Sequence, residues 1–519
     1  MRRLWPAKRV RYPDRKEANA VIAKISVPPG EGDDLDFPNT RCKPGQIDLG
    51  RWLATAVLFV FIVIVLGNTC ALAIYGSSFL PRNFNEGWNA FHSQSFFDGG
   101  LLYHGPSEWV VNNYPPLSFI LTAFVMHAGL DAMFAGRLIA GIAFLLLCIL
   151  IGTITYSQRK NALAAVLALA LFDSGMTMNY SLQVFANEPQ ILAQAIMMTG
   201  LYVILAESGN RFWSRWGLPC LSAVLMTTGV FIKHNPVAII VAVAVWLLLT
   251  NRRRFVVFAA TGILLGAIGA AICLYAFGHD FITSLLTPRV YSARKAWVDL
   301  LALPAPIIST LLLCSVIFFV RRRDNWRTFL IVYLLSALAI GLLQSLGEGV
   351  NSNAYFEVVM AIALSGGYVV SSVAQADFRR WFVVAFCGAS LWCPGLSAAK
   401  DIFLFPSWKA ELDRKVDETR RVSAFVANIP GRTFCETAIF CYWAGKTFEY
   451  DQFIFQEGLH SGRFTDAALI DRMQSGYFKL LVINNPETNI GLTPKIFDAI
   501  HVNFDLILET VHERVYVRK

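Results

Sequence analysis

Trp52-Leu53-Ala54-Thr55-Ala56-Val57-Leu58-Phe59-Val60-Phe61-Ile62-Val63-Ile64-Val65-Leu66, continuing without a charge to Tyr75, decides the class of this chain. A helix needs roughly 20 apolar residues to cross a hydrocarbon core about 30 Å thick, and this stretch is long enough. Its apolar residues run unbroken, whereas a transmembrane β-strand alternates over about ten residues. A helix also closes its own backbone hydrogen bonds, which lipid cannot do for it.

The same signature recurs along the chain. Apolar stretches at 136–156, 162–174, 187–206, 217–232, 236–250, 255–277, 303–320, 328–346, 357–374 and 380–394 bring the expected spans to about eleven. Composition agrees: of 519 residues, 55% are hydrophobic and only 16% charged, and the mean hydropathy is +0.50. These values exclude an ordinary soluble protein. The fold class expected is a mainly α, polytopic membrane helix bundle with a small C-terminal α/β domain outside the membrane.

Residues 1–51 form a basic arm ahead of the first span, read as cytoplasmic, with 52–75 as an uncleaved signal anchor. Short loops at one face carry Arg159 and Lys160, Arg211 and Arg215, Arg252 to Arg254, Arg321 to Arg323 with Arg327, and Arg379 with Arg380. This is the positive-inside pattern, so the net charge of +9 reports topology and not nucleic-acid binding. Eleven crossings from a cytoplasmic start leave the C-terminus outside an inner, or plasma, membrane. Lys233 and the group Arg289, Arg294 and Lys295 fall on outer loops and ask for a reason other than topology.

Two outer segments are long: 76–135, the first outer loop of a helix bundle assigned to 52–394, and 395–519, which follows that bundle. In the first, Leu117–Ala128 is too short to cross; Pro115 and Pro116 suit the first turn of a helix lying at the interface. In the second, strand-like runs at Thr433–Ile439, Lys479–Ile483 and Asp505–Leu508 alternate with a helical stretch at Lys409–Ala427, which reads as an α/β domain able to bury its own core. Cysteines 70, 148, 220, 273, 314, 387 and 393 sit within apolar spans as small hydrophobes. Cys435 and Cys441 lie in the outer domain, where a disulfide requires a bend between them, since a straight strand would hold them apart.

Chemistry concentrates in the first outer loop, at Asn85-Glu86-Gly87-Trp88-Asn89-Ala90-Phe91-His92, then Gly99-Gly100-Leu101-Leu102-Tyr103, then Asn112-Asn113-Tyr114-Pro115-Pro116-Leu117. Glu86 at the mouth of the bundle is a candidate general base, against the plainer reading of an acid in a solvated loop. Glu86, His92, Asp98, His104 and Glu108 offer enough ligands for a divalent cation, but their spacing matches no metal motif, and no metal site is assigned. A glycine-rich outer element from Gly347 to Glu357 presents Asn353, Tyr355 and Glu357, suited to a sugar's hydroxyls and apolar faces, or simply a turn between spans. Trp88, Trp109 and Trp297 read as an aromatic belt. No phosphate-binding loop or dinucleotide fingerprint occurs.

The order of an acidic motif after the first span, a Gly-Leu-Tyr element, the Tyr-Pro-Pro-Leu helix and Ala135-Gly136-Arg137 opening the next span resembles the C-superfamily glycosyltransferases. It looks nearest to their bacterial group of protein-mannosyltransferase-like, aminoarabinose and lipopolysaccharide-core sugar transferases. Ala444-Gly445-Lys446, Tyr450-Asp451-Gln452-Phe453, Gly462 and Tyr477-Phe478-Lys479 resemble that group's outer domain. The resemblance implies an inverting transfer of a sugar from a polyprenyl-phosphate donor to a cell-envelope acceptor. It implies catalysis by Glu86, with Asp98 as the fallback because relatives carry Asp-Glu or Asp-Gly where this chain has Asn85-Glu86. Glu188, opening a span before Pro189, would orient the acceptor or hold a cation, although an acid there also suits the helix dipole. Lys233, His234, Arg289 and Arg294 would hold the lipid phosphate, Arg289 and Arg294 being equally suited to lipid headgroups. Asn85, Tyr114, Asn353, Tyr355 and Glu357 would contact sugar or acceptor. Two other classes stay open: a flippase for the lipid-linked sugar, and a noncatalytic membrane scaffold.

Overall fold

The computed structural model describes residues 49–105, 109–206, 209–320, 324–392, 397, 404–484 and 492–519. The basic arm, Glu108, Arg321 to Arg323 and Cys393 lie outside the described residues.

Every apolar stretch read as a span falls on a helix. Among the described residues seven helices are long and apolar enough to cross a membrane, or eight if Ala293–Leu301 and Ala305–Phe318, bent by 82° at their junction, form one span. The other stretches read as spans form shorter helices, Pro189–Leu205, Ala238–Thr250, Ala305–Cys314 and Ala376–Leu391, of 17, 13, 10 and 16 residues. At 1.5 Å per residue these rise about 15–26 Å, so each crosses only with the flanking turns or where the bilayer thins.

The bundle surrounds Ser352–Ser372, whose apolar window is 94% buried. Such a helix is apolar all round because protein, not lipid, covers it. By contrast Arg252–Phe277 is 11% buried and Leu49–Gly76 is 17% buried, leaving Ile263, Leu264, Phe59 and Leu66 exposed as a lipid-facing surface would be. At one end Arg159 pairs with Asp324 at 3.0 Å and donates to Ser371 and Ser372, drawing together two of the basic loops.

Two helices of the long first loop, Phe84–Phe97 and Leu117–Met126, pack on the opposite end. The second has ten residues, about 15 Å of rise, consistent with the reading that it does not cross.

The C-terminal α/β domain opens with the helix Phe405–Asn428 and builds one sheet from β1 (Thr433–Cys435), β2 (Leu480–Asn484), β3 (Phe504–Glu509) and β4 (Glu513–Arg518). The strand order is β1-β2-β4-β3, with β1 parallel to β2 and the other pairs antiparallel. The run Thr433–Ile439 is strand only to Cys435, then turns into the helix Ala438–Trp443. That bend brings the Cα atoms of Cys435 and Cys441 to 5.8 Å, and the two form a disulfide. A loop this small constrains the unfolded chain modestly. Cys435→Ala with Cys441→Ala is expected to destabilise the domain by about 2 kcal/mol, seen as a lower urea midpoint, and an unchanged midpoint would contradict this.

The domain does not have a core wholly its own. One cluster, around Phe434, Phe478, Leu481 and Tyr516, takes in Trp109 of the first loop. A second joins Val422, Ile439, Leu480 and Val515 to Ala90, Met126 and Met133 of the bundle side. Gly87 makes this docking possible, since a Cβ there would lie 2.3 Å from the backbone nitrogen of Ile439. Trp109 and Trp88 are accordingly 7% and 5% exposed and form packing, not a belt, whereas Trp297 is 60% exposed.

Candidate active site

Asn83 caps the helix Phe84–Phe97, its side chain accepting from Glu86 N. Glu86 follows in the first turn and is fully buried. Its carboxylate meets Arg137 in a two-point pair, Nε to Oε1 at 2.7 Å and Nη2 to Oε2 at 2.7 Å. The same oxygens accept Arg82 N at 2.6 Å and Asn187 N at 2.8 Å. Arg137 spends its remaining donors on the carbonyls of Gly76, Ser78 and Leu80. These charge-assisted bonds fold the 76–86 turn onto the helix Ala132–Arg159. In this arrangement Glu86 serves as an internal clasp, with its lone pairs turned away from any open space.

Beside the clasp lies a cavity of about 470 Å³, with one wall from the bundle loops and the other from the C-terminal domain. On the bundle side Asn85, Asn113, Asn235, Asn351 and Asn353 supply amides, and Trp88 and Tyr114 supply rings. The C-terminal domain adds Gln452, Gln456, Asn484 and Phe453. Gly349, at φ +73, permits the Phe453 ring to close on the loop, where a Cβ would meet it at 1.8 Å. Amide groups offer a donor and an acceptor on one plane, and rings cover apolar faces, which is the combination a sugar requires. Arg82 and Arg289 line the same space, the Arg82 guanidinium donating to the carbonyls of Leu72 and Ser181.

Of the residues singled out from sequence, Asn85, Tyr114, Asn353 and Arg289 share this cavity. The others lie elsewhere. Asp98 ends its helix, exposed, taking two hydrogen bonds from Gln94. Lys233 is fully buried, 3.3 Å from Glu188 and with its ammonium 3.3 Å from the centre of the Tyr114 ring, one layer behind the wall. Charge pairing and the ring face together account for a lysine so deep. His234 has a buried Nδ1 without a partner, and burial, followed by the charges of Lys233 and Arg289, pulls its pKa down to about 4. Arg294 is exposed. Tyr355 is held inside by Ser345, and Glu357 accepts Ala238 N and Ile239 N, satisfying the start of the helix Ala238–Thr250. The last two are bundle supports and do not belong to the cavity wall.

Arg82, Asp451 and the domain amides were given no site role from the sequence. Arg82 carried the signal that singled out Lys233, a cation on a loop assigned outside. Asp451 and Gln452 stood in the stretch that resembles the family's outer domain, but their place opposite the loops depends on docking. Of the ligands considered for a cation, His92 packs among Trp88, Phe91 and Phe119, Glu86 and Asp98 are engaged as above, and Glu108 lies outside the described residues. Among the described residues the metal-compatible group is Glu348, Glu457 and His460, with ligand atoms within 4.8 Å of one another. There His460 Nδ1 lies 2.8 Å from Glu348, a bridge from the loop after Ser345 to the C-terminal domain.

No family model and no curated protein matches the chain. Among solved structures it is similar to ArnT from Cupriavidus metallidurans bound to undecaprenyl phosphate, with a TM-score of 0.59 and 10% identity, covering 90% of this chain and 98% of that one. The apo state of ArnT from the same organism gives a TM-score of 0.58 at 11% identity, over 89% of this chain and 98% of that one. The fold expected from the sequence, a polytopic helix bundle with a small C-terminal α/β region, is the fold observed, and it is shared with these two solved structures.

Proposed function

We propose that this chain moves a sugar from a polyprenyl-phosphate donor to an acceptor of the cell envelope, at the outer face of the inner membrane. The observation that carries the reading is the amide- and ring-lined cavity with Arg82 and Arg289 in its wall. A second cavity, of about 490 Å³, adjoins it and is lined chiefly by Ala71, Leu72, Ile74, Met178, Leu182 and Trp408. Arg82 belongs to both. A prenyl chain fits the apolar space and a sugar the polar one, with the phosphate joining them at Arg82. The buried Nε of Arg82 has no hydrogen-bond partner, and burial pulls the guanidinium down to about 10 despite Glu86 nearby. Its Nη1 and Nη2 donate to Leu72 O and Ser181 O, and a phosphate arriving at Arg82 would take over from one of these carbonyls.

In this reading Arg82 and Arg289 hold the phosphate, and Lys233 contributes charge from behind Tyr114. As the bond from the anomeric carbon to the phosphate oxygen breaks, negative charge grows on the leaving group and preorganised cations stabilise it. The acceptor hydroxyl attacks from the opposite side, which inverts the anomeric carbon. The solved neighbour bound to undecaprenyl phosphate supports a lipid phosphate in this fold.

The test is to add purified protein to envelope vesicles from cells lacking it, which carry donor and acceptor together. Mass spectrometry should show undecaprenyl phosphate released and an envelope glycan gaining one sugar. Lipid movement without transfer would point to a flippase, and neither event to a scaffold. Arg289→Met should weaken undecaprenyl phosphate binding about 10- to 100-fold, the range for losing a charge-assisted hydrogen bond, and unchanged affinity would remove Arg289 from the site.

A further inference from the structure

A transfer of this kind must take a proton from the acceptor hydroxyl, and the motif of the first loop does not present a group able to do so. Asn85 lines the cavity, but its amide is no base. Glu86, the next residue, is turned about 100° around the helix, into the Arg137 clasp. Among the described residues, the carboxylates in the cavity wall are Asp451 and Glu513, both from the C-terminal domain. Glu513 stands on the β3–β4 hairpin, bonded to the Thr510 hydroxyl at 2.9 Å, whereas Asp451 is the one bonded to the first loop.

Asp451 stands directly over the loop motif. Trp88, one helical turn beyond Asn85 and on the same face, brings its indole N–H close enough to the Asp451 carboxylate to favour the charged form. The Asp451 backbone N–H donates to Trp109 O at 3.1 Å, a second tie to the first loop. The residue also caps the helix Gln452–His460, accepting from Ile454 N at 3.1 Å. The docked domain thus places a carboxylate, 2% exposed, next to the cavity-facing position that holds only an amide.

We propose that Asp451, supplied by the C-terminal domain, is the catalytic residue that receives the acceptor's proton. The inference rests on the glycosyl-transfer reading above. In the step, the acceptor oxygen forms its bond to the anomeric carbon as that carbon's bond to the phosphate oxygen breaks. The electron pair of the broken bond leaves with the lipid phosphate, and the hydroxyl proton passes to the Asp451 carboxylate. Burial pushes the Asp451 carboxyl up to about 7, with the N–H groups of Ile454 and Phe453 and the Trp88 indole acting in the lowering direction. Such a group is matched to proton transfer near neutral pH. The ionisable groups around it are Tyr450, Glu436 and Glu513 of the domain, and Arg82 and Arg289 across the cavity.

The experiment compares the wild-type protein with Asp451→Asn in the vesicle assay, alongside undecaprenyl phosphate binding and thermal stability. Asparagine caps a helix as well as aspartate does, so the variant should fold. Transfer should fall about 10²- to 10⁴-fold, the usual range for a lost general base, while undecaprenyl phosphate affinity stays within about 3-fold. Wild-type transfer by Asp451→Asn overturns the inference and leaves the transfer reading intact. Absence of transfer by the wild-type protein instead rejects that reading. Should the variant fail to fold, the wild-type pH profile decides: the rate must fall below about pH 7 as Asp451 takes up its proton, and a flat profile from pH 5 to 8 overturns the proposal.

Discussion

Glu86→Gln is expected to lower the stability of the folded protein by about 3–5 kcal/mol, because the change leaves Arg137 buried with its charge uncompensated. Both side chains are nearly inaccessible, at 0% and 3% exposure. The guanidinium would keep its three carbonyl partners but lose the two-point carboxylate contact. A glutamine also turns its NH2 group toward a donor that formerly met oxygen, Arg82 N in one orientation of the amide and Asn187 N in the other. The measurement is the midpoint of thermal aggregation in detergent for Glu86→Gln, Arg137→Met and the double variant. Each single change should cost several degrees. The double should cost markedly less than the sum, since removing both charges leaves neither stranded. A Glu86→Gln protein that is as stable as wild type yet inactive would return Glu86 to the role of base.

Lys233→Met carries the second large effect, again about 3–5 kcal/mol, because it strands Glu188 at 2% exposure. Its consequence reaches the cavity. The ammonium sits against the Tyr114 ring, so its loss removes both a cation–π contact and the support that fixes that ring in the wall. Stability and undecaprenyl phosphate affinity should therefore fall together. Glu188→Gln with Lys233→Met should recover most of the stability but not the affinity. Recovery of both would mean that the pair serves packing alone, while a stable Lys233→Met protein would contradict the buried ion pair.

Asn85 and Tyr114 were legible through the first-loop motifs that carry the family resemblance, Asn353 through the glycine-rich outer element, and Arg289 as a cation on a loop assigned outside, which topology does not explain. That last rule also picked Lys233, and the resemblance picked Glu188, yet neither could separate a group facing a cavity from one facing its own counter-ion. Glu86 shows why. Its position after the first span marks it as special, but only Arg137, 51 positions further on, determines which way its carboxylate points.

Hydrophobic run length and loop charge determined by themselves that this is a polytopic helical membrane protein with a polar C-terminal domain, because lipid acts on each segment separately and demands a closed backbone and about 20 apolar residues. Tertiary structure alone decided which polar groups face open space, since that depends on contacts between residues far apart in the chain. Docking of the C-terminal domain, tied by Trp88 to Asp451 and by Ile439 against Gly87, closes the second wall of the cavity. Side chains from the two walls become neighbours only when both cores have packed, and no local pattern encodes that meeting.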